Sequence, residues 1–180
     1  PCTGFANLGL TQALDPQRLR GRMRIASLGG AGTNRRFQDA GILDVLPAHY
    51  SALPDLVRDG TIIIDVALMM LAPGQNGGFN LGPQVDYLAD AIPKARVVVA
   101  EVNDQAPETS GATTVEAADV DHVLQVARPL VEMPAGKGGD VAAQIGAHVA
   151  RLVPDGATLQ VGLGVLPDAI LAALSGKRDL

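Results

Sequence analysis

The stretch Asp155-Gly-Ala-Thr-Leu-Gln-Val-Gly-Leu-Gly-Val-Leu-Pro-Asp-Ala-Ile170 reads as a turn, a buried strand, a glycine-bracketed loop and the start of a helix. Pro154-Asp155-Gly156 has turn chemistry. Thr158 to Val161 is short, apolar and partly β-branched, which predicts a strand. Gly162 and Gly164 let the backbone come close to a ligand, and Pro167 suits the first turn of a helix expected over Pro167–Leu174. Backbone N–H groups left free at such a junction can receive an anion or a developing oxyanion. Taken alone, the pattern fits plain packing of a βα unit equally well.

The same alternation runs upstream. Met23–Leu28 predicts a strand leading into Gly29-Gly-Ala-Gly32, and Asn34–Ala40 a short helix. Ser51 is placed to cap a helix carrying Leu53, Leu56 and Val57, which stops at Arg58-Asp59-Gly60. Ile62–Leu68 is a continuous apolar run, the kind buried on both faces of a parallel sheet. A glycine-rich loop is expected over Ala72–Gly82, helical spacing over Val85–Ile92 and a buried strand over Arg96–Val102. A polar loop, Asn103–Thr114, and a strand, His122–Val126, follow. Strands alternating with helices mean an α/β fold with a mostly parallel sheet flanked by helices.

Near Arg128 the texture changes. Pro129, Pro134, Gly136, Gly138 and Gly139 make a linker-like stretch. Asp140 then opens, as its expected cap, a periodic helix with Val141, Ile145, Val149 and Leu152 on one face. The organisation expected is a domain over 1–128, a linker over 129–139, and over 140–180 the first βα unit of a second, truncated domain.

Composition bounds the function. Hydrophobic residues make up 47% of the chain, enough for a core, and the formal charge is −5. No basic cluster with interleaved aromatics occurs, so no nucleic-acid partner is expected. Arg18, Arg20, Arg22 and Arg24 alternate, and Arg35-Arg36 is a pair; a solvated rim or contact with an anionic cofactor would both use them. The lone Cys2 supports neither an internal disulfide nor a cysteine zinc site, and His49, His122 and His148 lack ligand spacing, so no metal is expected. His122 and His148 read as packing histidines. The most apolar run is broken by Asp65 and falls short of a membrane span, and no leader pattern opens the chain. The expectation is a soluble, cytoplasmic protein without a membrane partner.

Further motifs stand in order: Asp65-Val-Ala-Leu68, Ala72-Pro73, Gly78-Phe-Asn-Leu-Gly82, Val97-Val-Val-Ala-Glu-Val-Asn103 and Pro107. With the Gly162–Leu166 loop, they closely resemble the acetyl-CoA hydrolase/transferase family, colinearly from about Leu43 to Leu180. The resemblance implies a NagB/RpiA-type α/β fold and a CoA-transferase. Its substrates would be an acyl-CoA and a small carboxylate, with coenzyme A as substrate and no permanently bound cofactor. In that family a glutamate attacks the thioester and becomes a glutamyl-CoA thioester. By family spacing this glutamate falls a few residues past Leu180. None of Glu101, Glu108, Glu116 or Glu132 matches it, so no catalytic residue is assigned within the chain.

The resemblance assigns Gly162, Leu163, Gly164, Val165 and Leu166 to CoA binding. It aligns Gln160 with a strand glutamine and sets Glu101 and Asn103 near the active-site cleft. A strand-end amide or carboxylate held by backbone is the structural alternative for all three. Gln75, Asn76 and Asn80 depart from the family's loop, and His49-Tyr50-Ser51 matches a His-Leu-Ser type element after Pro47. Alternatives stay open: an acyl-CoA hydrolase of the same family; a non-catalytic chain whose partner supplies the glutamate; or a dinucleotide-binding oxidoreductase. Against the last, Gly29–Gly32 lacks the GxGxxG spacing and Asp44 falls too early for a ribose acid. A truncated second domain would expose apolar edges, so self-association or association with the rest of the enzyme is expected.

Overall fold

The computed structural model describes residues 2–5, 14–30, 34–111, 113–130, 132 and 138–180. It falls into two compact units, Pro1–Val131 and Glu132–Leu180.

The first unit opens with β1 (Cys2–Phe5), α1 (Pro16–Leu19), β2 (Met23–Ser27), α2 (Arg35–Asp39) and β3 (Leu43–Val45). These strands form a parallel sheet in the order β1-β2-β3. Asp15 accepts from the Gln17 amide at 3.0 Å and Pro16 needs no amide partner, which starts α1. Ile25 of β2 and Phe37 of α2 are wholly buried and pack with Ala40 and Ile42.

A second sheet follows. After α3 (Leu53–Arg58) come β4 (Val66–Pro73), β5 (Phe79–Asn80), α4 (Leu88–Ala91), β6 (Val97–Asn103), β7 (Thr114–Val115) and β8 (His122–Val126). Their order is β7-β5-β4-β6-β8. β4, β6 and β8 are parallel; β5 is antiparallel to both β4 and β7. The architecture is therefore α/β with mostly parallel pairing plus a short antiparallel ribbon. Ala67, Met69, Leu71, Val98, Ala100 and Val102 line one face and form a core with Leu81, Ile92 and Val115.

Local expectations are corrected in several places. The Ile62–Leu68 run is not a strand buried on both faces: β4 begins at Val66, and Ile63 and Leu68 are 82% and 62% exposed. From Val66 to Leu71 alternate residues of β4 reach the core, because the pleat sends neighbours to opposite faces. The Ala72–Gly82 loop includes the end of β4, a 3₁₀ turn over Gln75–Gly77 and all of β5. Ser51 lies inside a 3₁₀ turn, Tyr50–Ala52, and the cap position of α3 is Ala52, without a side-chain bond.

The second unit holds α5 (Asp140–Leu152) and α6 (Val165–Ala173). Gly139, not Asp140, occupies the cap position of α5. Most of the predicted apolar stripe is not on its packing face: Val141 and Leu152 are 71% and 82% exposed and Ile145 is exposed, while Val149 is half-buried and Gly146 and Ala150 are buried. Small residues decide the contact, since a Cβ added at Gly146 would lie 2.5 Å from the Ala169 carbonyl oxygen of α6. Thr158–Val161 forms no strand, because no described segment of this unit offers it a ladder partner. His148 is exposed and meets Arg151, and His122 is exposed at the start of β8, so neither is a buried packing residue.

Candidate functional site

In the first unit the polar groups collect where β4 and β6 end. β4 turns at Gly74, and Asn76 adopts the left-handed region at φ 54° so that the chain can return as β5. The Gly74 amide donates to the Gly78 carbonyl at 3.0 Å and closes that turn. A polar cavity of about 590 Å³ opens here, lined among others by Gln75, Asn76, Asn80, Glu108 and Thr109. Gln75 Nε2 donates to Glu108 Oε1 at 3.1 Å across it.

Asn80, buried at the base, anchors the surrounding loop. Its Nδ2 donates to the Thr109 carbonyl at 3.0 Å and to Thr113 Oγ1 at 2.9 Å. Its Oδ1 accepts from the amides of Gly82 and Thr109 at 2.7 and 3.1 Å and from Thr109 Oγ1 at 3.3 Å. Sequence reasoning singled out Asn80 as a departure but missed Thr109 and Thr113, which lie 29 and 33 residues away. The polar run Asn103–Thr114 was the one available signal.

Glu101 and Asn103 are brought together by a residue that spacing did not suggest, Arg128, just beyond β8. The Arg128 guanidinium pairs with the half-buried Glu101 carboxylate. Asn103 is fully buried, donates from Nδ2 to the Arg128 carbonyl at 2.9 Å and accepts the Arg128 amide at 3.2 Å. Its Oδ1 also accepts the Gln105 amide at 3.1 Å. The amide is thus spent on holding the chain where it leaves β8.

The His49–Ser51 element is tied down by Tyr50, whose hydroxyl donates to Asp86 Oδ2 at 2.5 Å. Its ring meets that of Tyr87 edge-on, with centroids 6.4 Å apart. Burial, and then the Asp86 charge, push the Tyr87 phenol up to about 12.

In the second unit, Gln160 and the Gly162–Leu166 segment are exposed. Gly164 stands at the cap position of α6 with φ 131°, a conformation open to glycine, and nothing lies within 4 Å of where its Cβ would be. The amides of Val165 and Leu166 open the helix beyond it, while Pro167 in its first turn has none. Leu163 is 93% exposed. Among the described residues no group of three or more His, Cys, Asp or Glu side chains could hold a metal.

These features define an α/β protein with a polar loop cluster at strand ends and a glycine-opened helix start. Residues 24–132 match the acetyl-CoA hydrolase/transferase N-terminal domain. The chain belongs to the acetyl-CoA hydrolase/transferase family. It is similar to a 4-hydroxybutyrate coenzyme A transferase of Clostridium kluyveri, 36% identical over 150 residues, covering 83% of this chain and 35% of that protein. A succinyl-CoA:acetate/propanoyl-CoA:succinate CoA transferase of Fasciola hepatica is 36% identical over 162 residues, 89% of this chain and 34% of its own length. Among solved structures, RipA from Yersinia pestis matches with a TM-score of 0.87 at 28% identity, over 99% of this chain and 43% of that one. The 4-hydroxybutyrate CoA-transferase of Porphyromonas gingivalis matches with a TM-score of 0.71 at 30% identity, over 98% and 47%. The chain spans about a third of the length of the curated relatives it matches.

Proposed function

We propose that this chain is part of a CoA-transferase that moves CoA between a short-chain acyl-CoA and a carboxylate acceptor. What carries the reading is the family match over residues 24–132, together with relatives that are named as CoA-transferases. In the proposed reaction a glutamate carboxylate attacks the thioester carbonyl and expels CoA thiolate, leaving a mixed anhydride. The thiolate then attacks the glutamyl carbonyl, releases the first carboxylate and leaves glutamyl-CoA. The acceptor carboxylate reverses both steps. In this reading the nucleophilic glutamate is not one of the glutamates of Pro1–Leu180. If water took the acceptor's place, the same site would be an acyl-CoA hydrolase.

The Gly162–Leu166 segment is the proposed CoA contact. Gly164 lets the ligand approach the helix start, where the Val165 and Leu166 amides donate to an oxyanion or phosphate oxygen. Gln160 of the second unit is proposed as a lining residue there; in the first unit Glu101 and Asn103 are separately proposed as active-site residues, Asn103 by holding Arg128 and so the carboxylate of Glu101. The domain reading has residues 1–128 as the N-terminal CoA-transferase domain, 129–139 as linker and 140–180 as the opening of a second. The proposed setting is the cytoplasm; among the described residues no helix is long and apolar enough to cross a membrane.

The test is an assay of the full-length protein with butyryl-CoA or succinyl-CoA, with and without acetate. Acyl-CoA loss that requires acetate and yields acetyl-CoA supports the transferase; equal loss without acetate makes it a hydrolase, and no loss with any acceptor removes the reading. Gly164→Val should raise the KM for acyl-CoA about tenfold or more, the equivalent of one lost hydrogen bond.

A further inference from the structure

β4 returns as β5 through Gln75-Asn-Gly-Gly78, and Asn76 is the one asparagine of the sequence that precedes a glycine. Asn7 precedes Leu8, Asn34 Arg35, Asn80 Leu81 and Asn103 Asp104. The difference is chemical. An asparagine side chain can be attacked at Cγ by the backbone nitrogen of the next residue. A side chain on that residue crowds the approach, and glycine has none.

The structure separates Asn76 from its counterparts a second time. Asn34, Asn80 and Asn103 are buried. Asn34 Nδ2 donates to Ser27 Oγ at 2.9 Å and to the Gly29 carbonyl at 3.2 Å. Asn80 and Asn103 are bonded at both ends of their amides. Asn76 and Gly77 are exposed, and no hydrogen bond joins the Asn76 side chain to any described residue. Gly77 has φ 81°, and nothing lies within 4 Å of where its Cβ would be. Two backbone bonds close the turn, from the Gly74 amide to the Gly78 carbonyl and from the Gly78 amide to the Gln75 carbonyl, both at 3.0 Å. Opening a short exposed turn costs far less than opening the sheet.

We propose that Asn76 is a modification site, which deamidates without an enzyme and ahead of the other described asparagines. Base removes the Gly77 amide proton and the nitrogen attacks Asn76 Cγ. The bond from Cγ to the side-chain nitrogen breaks, and ammonia leaves with a proton taken from solvent. A closed succinimide ring remains. Water then opens it: cleavage at Cγ leaves aspartate, and cleavage at the main-chain carbonyl leaves isoaspartate, whose backbone runs through Cβ and Cγ. Water is the only co-reactant, and nothing is oxidised or reduced.

Position gives the reaction a consequence. Asn76 lines the polar cavity of about 590 Å³, whose described lining includes Glu108 and Glu116 and no lysine or arginine. Either product adds a further carboxylate there, so the cavity of aged protein repels an anion more than that of fresh protein. Isoaspartate also lengthens the backbone inside the turn.

The experiment incubates the full-length protein in native buffers, one mildly acidic and one alkaline, and follows every asparagine by peptide mass mapping. Fragmentation of the peptide separates Asn76 from Gln75, and an isoaspartyl methyltransferase labels the second product. The expected result is conversion at Asn76 at least about tenfold faster than at Asn34, Asn80 or Asn103, which need larger openings to react. Conversion is faster in the alkaline buffer, because the attacking nitrogen must lose its proton, and the Asn76 peptide takes the methyl label. An Asn76 peptide that keeps its amide overturns the proposal. Earlier conversion at one of the buried asparagines overturns it as well.

Discussion

Asn103 and Arg128 exchange two hydrogen bonds: Nδ2 of the asparagine to the arginine carbonyl at 2.9 Å, and the arginine amide to Oδ1 at 3.2 Å. One side chain thus acts as a strand neighbour would, extending the β6–β8 pairing past Asn103–Val126. Asn103 is wholly buried, so Asn103→Ala leaves the Arg128 and Gln105 backbone groups without that partner. The expected cost is about 2–4 kcal/mol, read as a lower urea midpoint with unchanged slope. Glu101→Gln removes only a part-exposed ion pair and should cost under about 1 kcal/mol. Equal effects of the two changes would contradict the clamp.

Asn80 makes a second test of the same kind. It joins β5 to the loop through Thr109 and Thr113 with both ends of its amide satisfied. Asn80→Ala should destabilise by about 2–3 kcal/mol and speed hydrogen exchange at the Gly82 and Thr109 amides. Asn80→Ser keeps a polar group but not the reach to two threonines, and should lie between wild type and alanine. A serine variant as unstable as alanine would mean that reach, rather than polarity, is what the site requires.

Legibility followed the range of the interaction. β6 was readable from its run of valines, and α3 from Leu53, Val57 and the stop at Gly60, because both patterns are local. Thr158–Val161 looked like a strand and is none, since a strand exists only with a neighbour to bond and composition cannot supply one. In α5, periodicity picked Val141, Ile145, Val149 and Leu152, of which only Val149 is half-buried, while the helix packs through Gly146 and Ala150. A hydrophobic stripe says which face seeks cover; it does not say which face finds it. In the candidate site, Glu101 and Asn103 could be named from strand-end position, and Asn80 only as a departure from the family's loop. Their partners lie 25 to 33 residues away, and no spacing rule reaches that far.

Gly146 tests the small-residue contact directly. Its added Cβ would fall 2.5 Å from the Ala169 carbonyl oxygen and 2.8 Å from the carbon, both backbone atoms that cannot swing aside. Alanine would normally favour a helix interior over glycine by about 1 kcal/mol. Here the clash should win, pushing α5 from α6 at a net cost of about 1–3 kcal/mol for Gly146→Ala and more for Gly146→Val. The measurement is thermal unfolding of each variant. A stabilised Gly146→Ala protein would show that the two helices do not approach through this glycine.

Tyr87 gives the pH dependence a sign. Burial, with the Asp86 charge second, raises its phenol from the ordinary value of 10.0 to about 12 in the folded state. An unfolded chain releases the proton near the lower value, so between the two the native state binds more protons than the unfolded one. Stability contributed by the neutral phenol is therefore whole below about pH 10 and falls as pH rises towards about 12, by up to about 2 kcal/mol. Tyr87→Phe cannot ionise and should lose that part of the alkaline decline, whatever its stability at neutral pH. Urea midpoints of both proteins from pH 8 to about 11.5 check this. Parallel declines would show that Tyr87 does not titrate differently in the folded and unfolded chains.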